Sequence, residues 1–135
     1  MPAVLKASGK SFDVDAFLAK SKLKPYRIYR KGERRFKRIE KKERLKESGL
    51  CIDTTDSGFD DFPKQVRQTI SFLQKNQKEL KKLTAFPGVD AVIDFGFAKR
   101  DTVVQCDLLP VELIRLAGSI GLAIEMSLYP SAKKK

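Results

Sequence analysis

Histidine is absent from all 135 residues, tryptophan is absent too, and cysteine occurs only at Cys51 and Cys106. The missing histidine excludes the most chemistry. Without an imidazole there is no Ser-His-Asp or Cys-His pair, no His-ligated zinc and no ordinary general base near neutral pH. The two cysteines sit in separate apolar runs without metal-ligand spacing, which predicts reduced thiols rather than a disulfide or a nucleophile. Long apolar runs are also lacking. No stretch approaches the roughly 18 consecutive apolar residues of a membrane span, and the chain does not open with a charged head and apolar run like a signal peptide. A soluble cytoplasmic protein is expected, with one domain over residues 1–130 and a short basic tail at 131–135.

What the chain has in excess is positive charge, with 28 Lys and Arg against 17 Asp and Glu, a net +11. The excess is local. Residues 20–46 hold 14 of the basic residues against Glu33, Glu40 and Glu43, so this segment carries the whole surplus and the remainder is balanced. The pattern is that of a globular domain bearing one basic segment.

The longest regular periodicity lies at residues 61–86. Phe62, Val66, Ile70, Leu73, Leu80 and Leu83 form one helical stripe opposite Lys, Gln and Glu, predicting a single long helix. Asp60 or Asp61 serves as its N-cap, Pro63 suits its first turn, and Pro87-Gly88 ends it. Before it, residues 3–7 read as a strand. Asp13 caps a short helix, which Phe12 and Phe17 staple. Residues 25–29 and 50–54 read as strands flanking an exposed basic arm at 34–47. After it, Val89, Ala91, Ile93, Phe95 and Phe97 alternate as a half-buried strand. Residues 102–107 read as another strand, 110–121 as a helix ending at Gly121, and 122–129 as a last strand. This order predicts an α+β fold. It is expected to be a split β-α-β, ferredoxin-like, mainly antiparallel sheet with its helices on one face and the basic arm inserted.

The succession "LKPYRIYRKGE", "SGLCIDTTDSGFDDFPKQVRQTISFLQKNQKEL", "FPGVDAVIDFGF" and "SIGLAIEMSLYP" resembles small bacterial proteins grouped as a domain of unknown function, some of whose relatives are taken for immunity or defence-locus proteins. The resemblance implies the fold and a bacterial origin. It also implies an alternative function, an interaction module that covers a protein partner.

Two short motifs are better read as turns. Ser8-Gly9-Lys10-Ser11 has the end of a phosphate-binding loop, but Val4 stands where that pattern needs glycine, which leaves too short a loop to cradle phosphates. Asp56-Ser57-Gly58 has the core of an aspartic protease motif, yet it lacks a preceding apolar strand and a second copy, and a turn before a helix explains it. Asp90, Asp94, Gln105, Asp107 and Glu125 are expected on strand faces away from the helices. In order of preference they form a solvated face, a dock for the arm or a partner, or oxygen ligands for a hard cation.

The basic segment is the main functional candidate. Arg27, Arg30, Arg34, Arg35, Lys37, Arg38, Lys41, Lys42 and Arg44 can neutralise phosphates, and Tyr26, Tyr29 and Phe36 can stack on bases. The same charge can instead meet an acidic protein, or merely be solvated. The expectation is a non-catalytic binding module for an anionic partner, nucleic acid foremost, that uses residues 20–46 and needs no cofactor or metal. A protein-interaction module is the alternative, and an enzyme built on the carboxylate face ranks last.

Overall fold

The structure, a computed structural model, describes residues 2–34 and 43–130. In chain order these form β1 (Ala3–Gly9), α1 (Val14–Leu18), β2 (Arg27–Tyr29), β3 (Ser48–Asp53), α2 (Phe62–Lys75), α3 (Gln77–Ala85), β4 (Asp90–Ala98), α4 (Val111–Ile120) and β5 (Ala123–Tyr129). The five strands make one open sheet in the order β2-β3-β1-β4-β5. Every junction is antiparallel except that of β4 with β5, which is parallel and is crossed by α4.

Strand alternation sorts the sheet into two faces. Leu5 and Ala7 of β1, Leu50 and Ile52 of β3, and Ile93, Phe95 and Phe97 of β4 are buried together with Phe17, Val66, Leu73, Leu80, Leu83, Leu113 and Ala117 of the helices. This is the apolar face against which the helix stripes pack. The intervening residues of the same strands, Lys6, Cys51 and Asp94 among them, belong to the opposite face.

Local signals fix the helix ends. The Asp13 carboxylate accepts from the Ala16 N–H at 3.0 Å, and the Asp61 carboxylate accepts from the Lys64 N–H at 3.1 Å. The Phe12 and Phe17 rings lie 6.2 Å apart as the staple requires. Gly121 closes α4 in the left-handed region at φ 97°. At the same end of the sheet, Gly9 ends β1 directly against the Gly88 carbonyl, an approach that leaves no room for a Cβ.

Two elements depart from the sequence reading. The segment 62–85 is two helices divided at Asn76, whose φ of −111° and ψ of 15° leave the helical region. The apolar stripe skips a full seven residues between Leu73 and Leu80, so no apolar side chain anchors this turn. Asn76 instead turns its own amide back to the Phe72 carbonyl at 2.9 Å. Residues 102–107 are not a strand. β4 already has β1 on one side and β5 on the other, so no ladder position remains for them beside β4. The segment is held as a loop, in which the Arg100 N–H donates to Gln105 Oε1 at 2.7 Å and the Arg100 guanidinium donates to Asp107 at 3.0 Å.

Candidate functional site

The sheet registers bring three polar side chains into one row on the face away from the helices. Arg27 of β2 pairs with Cys51 of β3, and Cys51 pairs with Lys6 of β1. Two residues along, Tyr29 stands opposite Gly49. Its ring covers that glycine so closely that a Cβ there would collide with the phenol. The Arg27 guanidinium lies 5.2 Å from the Tyr29 ring centre, a cation–π contact that holds the ring and the charge together.

The chain between β2 and β3 forms the other wall. The Gly32 N–H donates to the Leu45 carbonyl and the Leu45 N–H to the Glu33 carbonyl, each at 2.8 Å. Arg34 and Arg44 pair as an antiparallel bridge. The Arg44 guanidinium also donates to the Gly32 carbonyl at 3.2 Å. This closed base carries residues 43–46 alongside the sheet and leaves a groove of about 670 Å³. Lys6, Arg27, Tyr29 and Cys51 line it from the sheet, and Glu43, Arg44, Leu45 and Lys46 line it from the returning chain.

The groove brings four cationic side chains, Lys6, Arg27, Arg44 and Lys46, together with one carboxylate, Glu43. Lys6 is held protonated above its ordinary range, chiefly by its hydrogen bond to Asp94. Burial pushes the Cys51 thiol upward and outweighs the opposing pull of Arg27 and Lys6, so Cys51 is a thiol and not a thiolate. Burial likewise raises the Tyr29 hydroxyl, which remains a neutral ring with a polar tip.

The residues singled out from the sequence divide into groups. Arg27, Arg44 and Tyr29 line the groove. Tyr26 is half exposed beside β3, its N–H donating to the Cys51 carbonyl at 3.0 Å. Arg30 is engaged elsewhere, its guanidinium gripping both oxygens of Asp15 at 2.8 and 2.9 Å. Arg34 belongs to the base of the returning segment. Arg35, Phe36, Lys37, Arg38, Lys41 and Lys42 lie outside the described residues. Lys6 and Cys51 were not anticipated in this role, and Lys46 only as part of the basic segment 20–46. The one hint of Lys6 is a lysine inside the apolar strand AVLKASG.

The carboxylates do not converge. Asp94, only 8% exposed, accepts from Lys6 Nζ at 2.8 Å and from the Ser127 hydroxyl at 2.6 Å. Asp107 and Gln105 bond each other and Arg100 in the loop after β4. Asp90 and Glu125 are exposed. Among the described residues no group of three or more His, Cys, Asp or Glu is placed to hold a metal ion. The two motif-like stretches are the end of β1 with the turn after it and the loop before α2. Gly9 belongs to β1, and the Ser57 hydroxyl donates to the Gly58 and Asp61 carbonyls ahead of α2.

Fold and groove together define an α+β domain whose open sheet has helices on its apolar face and a basic groove beside its short edge strand. The chain belongs to the family described as a domain of unknown function, DUF4279, whose model matches residues 1–131. No curated protein and no solved structure matches the chain. No helix among the described residues is long and apolar enough to cross a membrane.

Proposed function

We propose that the protein is a non-catalytic binding module that takes a polyanion, nucleic acid foremost, in the groove between the sheet and residues 43–46. The observation that carries this reading is the lining of the groove, which Arg27, Arg44, Lys46 and the Asp94-paired Lys6 share with Tyr29 and a single carboxylate, Glu43. Cations spaced along a groove follow a phosphate backbone, and an aromatic face accepts a base without reading its sequence. The groove suits a single strand, because unstacked bases can reach Tyr29, whereas a duplex keeps them paired. The segment 20–46 that contains Arg27, Arg44 and Lys46 carries the chain's whole basic excess. Lys6, held protonated, and Cys51, held as a thiol, are not activated nucleophiles. The free thiols of Cys51 and Cys106 fit a reducing bacterial cytoplasm.

The strand arrangement supports a finer description of the fold. β3 lies between β1 and β2, and β1 lies between β3 and β4. This order favours reading the sheet as a split β-α-β, ferredoxin-like arrangement with β5 added beyond β4.

A fluorescence-anisotropy titration with labelled single- and double-stranded oligonucleotides tests the proposal. If about four phosphates are neutralised, single-strand affinity falls roughly fifty-fold between 50 and 200 mM salt. Absence of binding at the lowest salt contradicts the proposal. The alternative of an immunity-like protein-interaction module is favoured by a different observation, the exposed apolar residues Val103, Val104 and Leu108 in the loop before α4.

A further inference from the structure

The two edges of the sheet are built differently. β2 is three residues long, contains Arg27 and opens into the basic segment. β5 is seven residues long, and among Ala123–Tyr129 only Glu125 is charged, with no lysine, arginine or proline. Sheets protect a free edge with lysine, proline, a bulge or shortness. β2 has shortness and charge, whereas β5 has none of these devices.

The outer rim of β5 is also free to pair. The Lys99 N–H donates to the Tyr129 carbonyl at 2.8 Å. Tyr129 and the alternate residues Ser127, Glu125 and Ala123 therefore turn their backbone groups towards β4, and Ile124, Met126 and Leu128 turn theirs away. Among the described residues no hydrogen bond reaches those outer groups. Met126 and Leu128 are 39% and 61% exposed, and Val111 and Ile114 of α4 are exposed too.

We propose that β5 pairs with β5 of a second copy of this chain, antiparallel about a two-fold axis at Met126, which joins two five-stranded sheets into one. Two features select a second copy over another strand. The first is self-complementarity. The register centred on Met126 pairs all of Ala123–Tyr129 and forms its hydrogen bonds at Ile124, Met126 and Leu128, the positions whose backbone groups face outward. On the apolar side Ile124 then meets Leu128 and Met126 meets itself. On the other side Glu125 meets Ser127 and Ala123 meets Tyr129, so no like charges oppose each other.

The second feature is the distribution of charge. The +11 excess resides in residues 20–46; of the described residues there, Arg27 stands in β2, and Arg34, Arg44 and Lys46 lie in the chain joining β2 to β3. Strands spaced by about 4.8 Å put the two β2 edges of such a dimer roughly 40 Å apart, several times the Debye length of about 8 Å at physiological salt. Pairing through β5 thus keeps the repelling segments apart, whereas pairing through β2 would bring them together.

Sedimentation velocity of the full chain, from low micromolar to several hundred micromolar, tests the proposal. The wild type is expected at twice the chain mass, and added salt should not dissociate it. Met126→Pro removes an outward N–H and leaves the β4 ladder intact. Leu128→Lys places a charge on the pairing rim at an exposed site. Each should halve the mass with an unchanged circular dichroism spectrum; should the proline variant misfold, Leu128→Lys decides alone. In a Cys106→Ser background, Met126→Cys should cross-link the dimer on oxidation, because directly opposed hydrogen-bonded residues bring their Cα atoms to about 5.5 Å. A wild type that stays monomeric overturns the proposal. So does a dimer that survives Leu128→Lys, or one that Met126→Cys fails to cross-link.

Discussion

Lys6 and Asp94 form a 2.8 Å ion pair across diagonal positions of β1 and β4, and the Ser127 hydroxyl of β5 donates to the other Asp94 oxygen at 2.6 Å. One carboxylate therefore ties three neighbouring strands together on the face away from the helices. Asp94 is nearly buried, but the Lys6 side chain is 43% exposed, so its ammonium can return to water if its partner is removed. Asp94→Ala should therefore cost about 1–3 kcal/mol, less than the loss of a fully buried pair, and Ser127→Ala about 1 kcal/mol. Chemical denaturation of the two single variants and the double variant checks this. An additive double variant would show that the three groups do not act together.

The same pair sets a pH dependence. The folded-state pKa of Lys6 is raised above its ordinary 10.5. Its contribution to stability is therefore complete below 10.5 and is lost as pH rises through the folded value. Because Lys6 is largely in contact with solvent, the step is small, below about 1 kcal/mol. Thermal melts between neutral and strongly alkaline pH should show it in the wild type and not in Lys6→Met. An identical alkaline profile for the two proteins would contradict the assignment.

Two glycines should respond in opposite directions to alanine. At Gly9 a methyl group meets the Gly88 carbonyl backbone, while at Gly118 on α4 a Cβ meets nothing within 4 Å. Gly9→Ala should destabilise by more than about 2 kcal/mol, and Gly118→Ala should stabilise by roughly 0.5–1 kcal/mol through helix propensity. Equilibrium unfolding of both variants distinguishes these signs, and a neutral Gly9→Ala would remove the proposed close packing of β1 against the turn before β4.

Short-range features were legible in the sequence for physical reasons. The caps at Asp13 and Asp61, the staple of Phe12 on Phe17, the αL glycine at Gly121 and the alternation of Ile93, Phe95 and Phe97 each depend on residues a few positions apart. The break at Asn76 had a trace in the seven-residue gap of the stripe, but periodicity alone does not tell a skipped turn from a broken one. Val103 and Val104 read as strand because their composition suits one. Whether a strand forms depends on a free ladder position, and β1 and β5 had filled both sides of β4. The groove was half legible. Arg27, Tyr29 and Arg44 stood out by charge and aromaticity, but Lys6 joins them only through the pairing of Lys6 with Cys51 and of Cys51 with Arg27, a long-range register that the sequence does not state.

The central claim is that the groove binds a polyanion, and not merely that the chain is basic. The most direct measurement compares two variants that remove equal charge in a single-strand anisotropy titration at low salt. Arg27→Ser/Lys46→Ser empties the groove of two cations, and Lys78→Ser/Lys81→Ser removes two exposed lysines from α3 on the helix side. The account predicts that the groove variant loses affinity at least about ten-fold and flattens the salt slope by roughly one to two units, while the α3 variant stays within about two-fold of the wild type. Equal losses in the two variants would contradict it, because the binding would then follow net charge and not the groove.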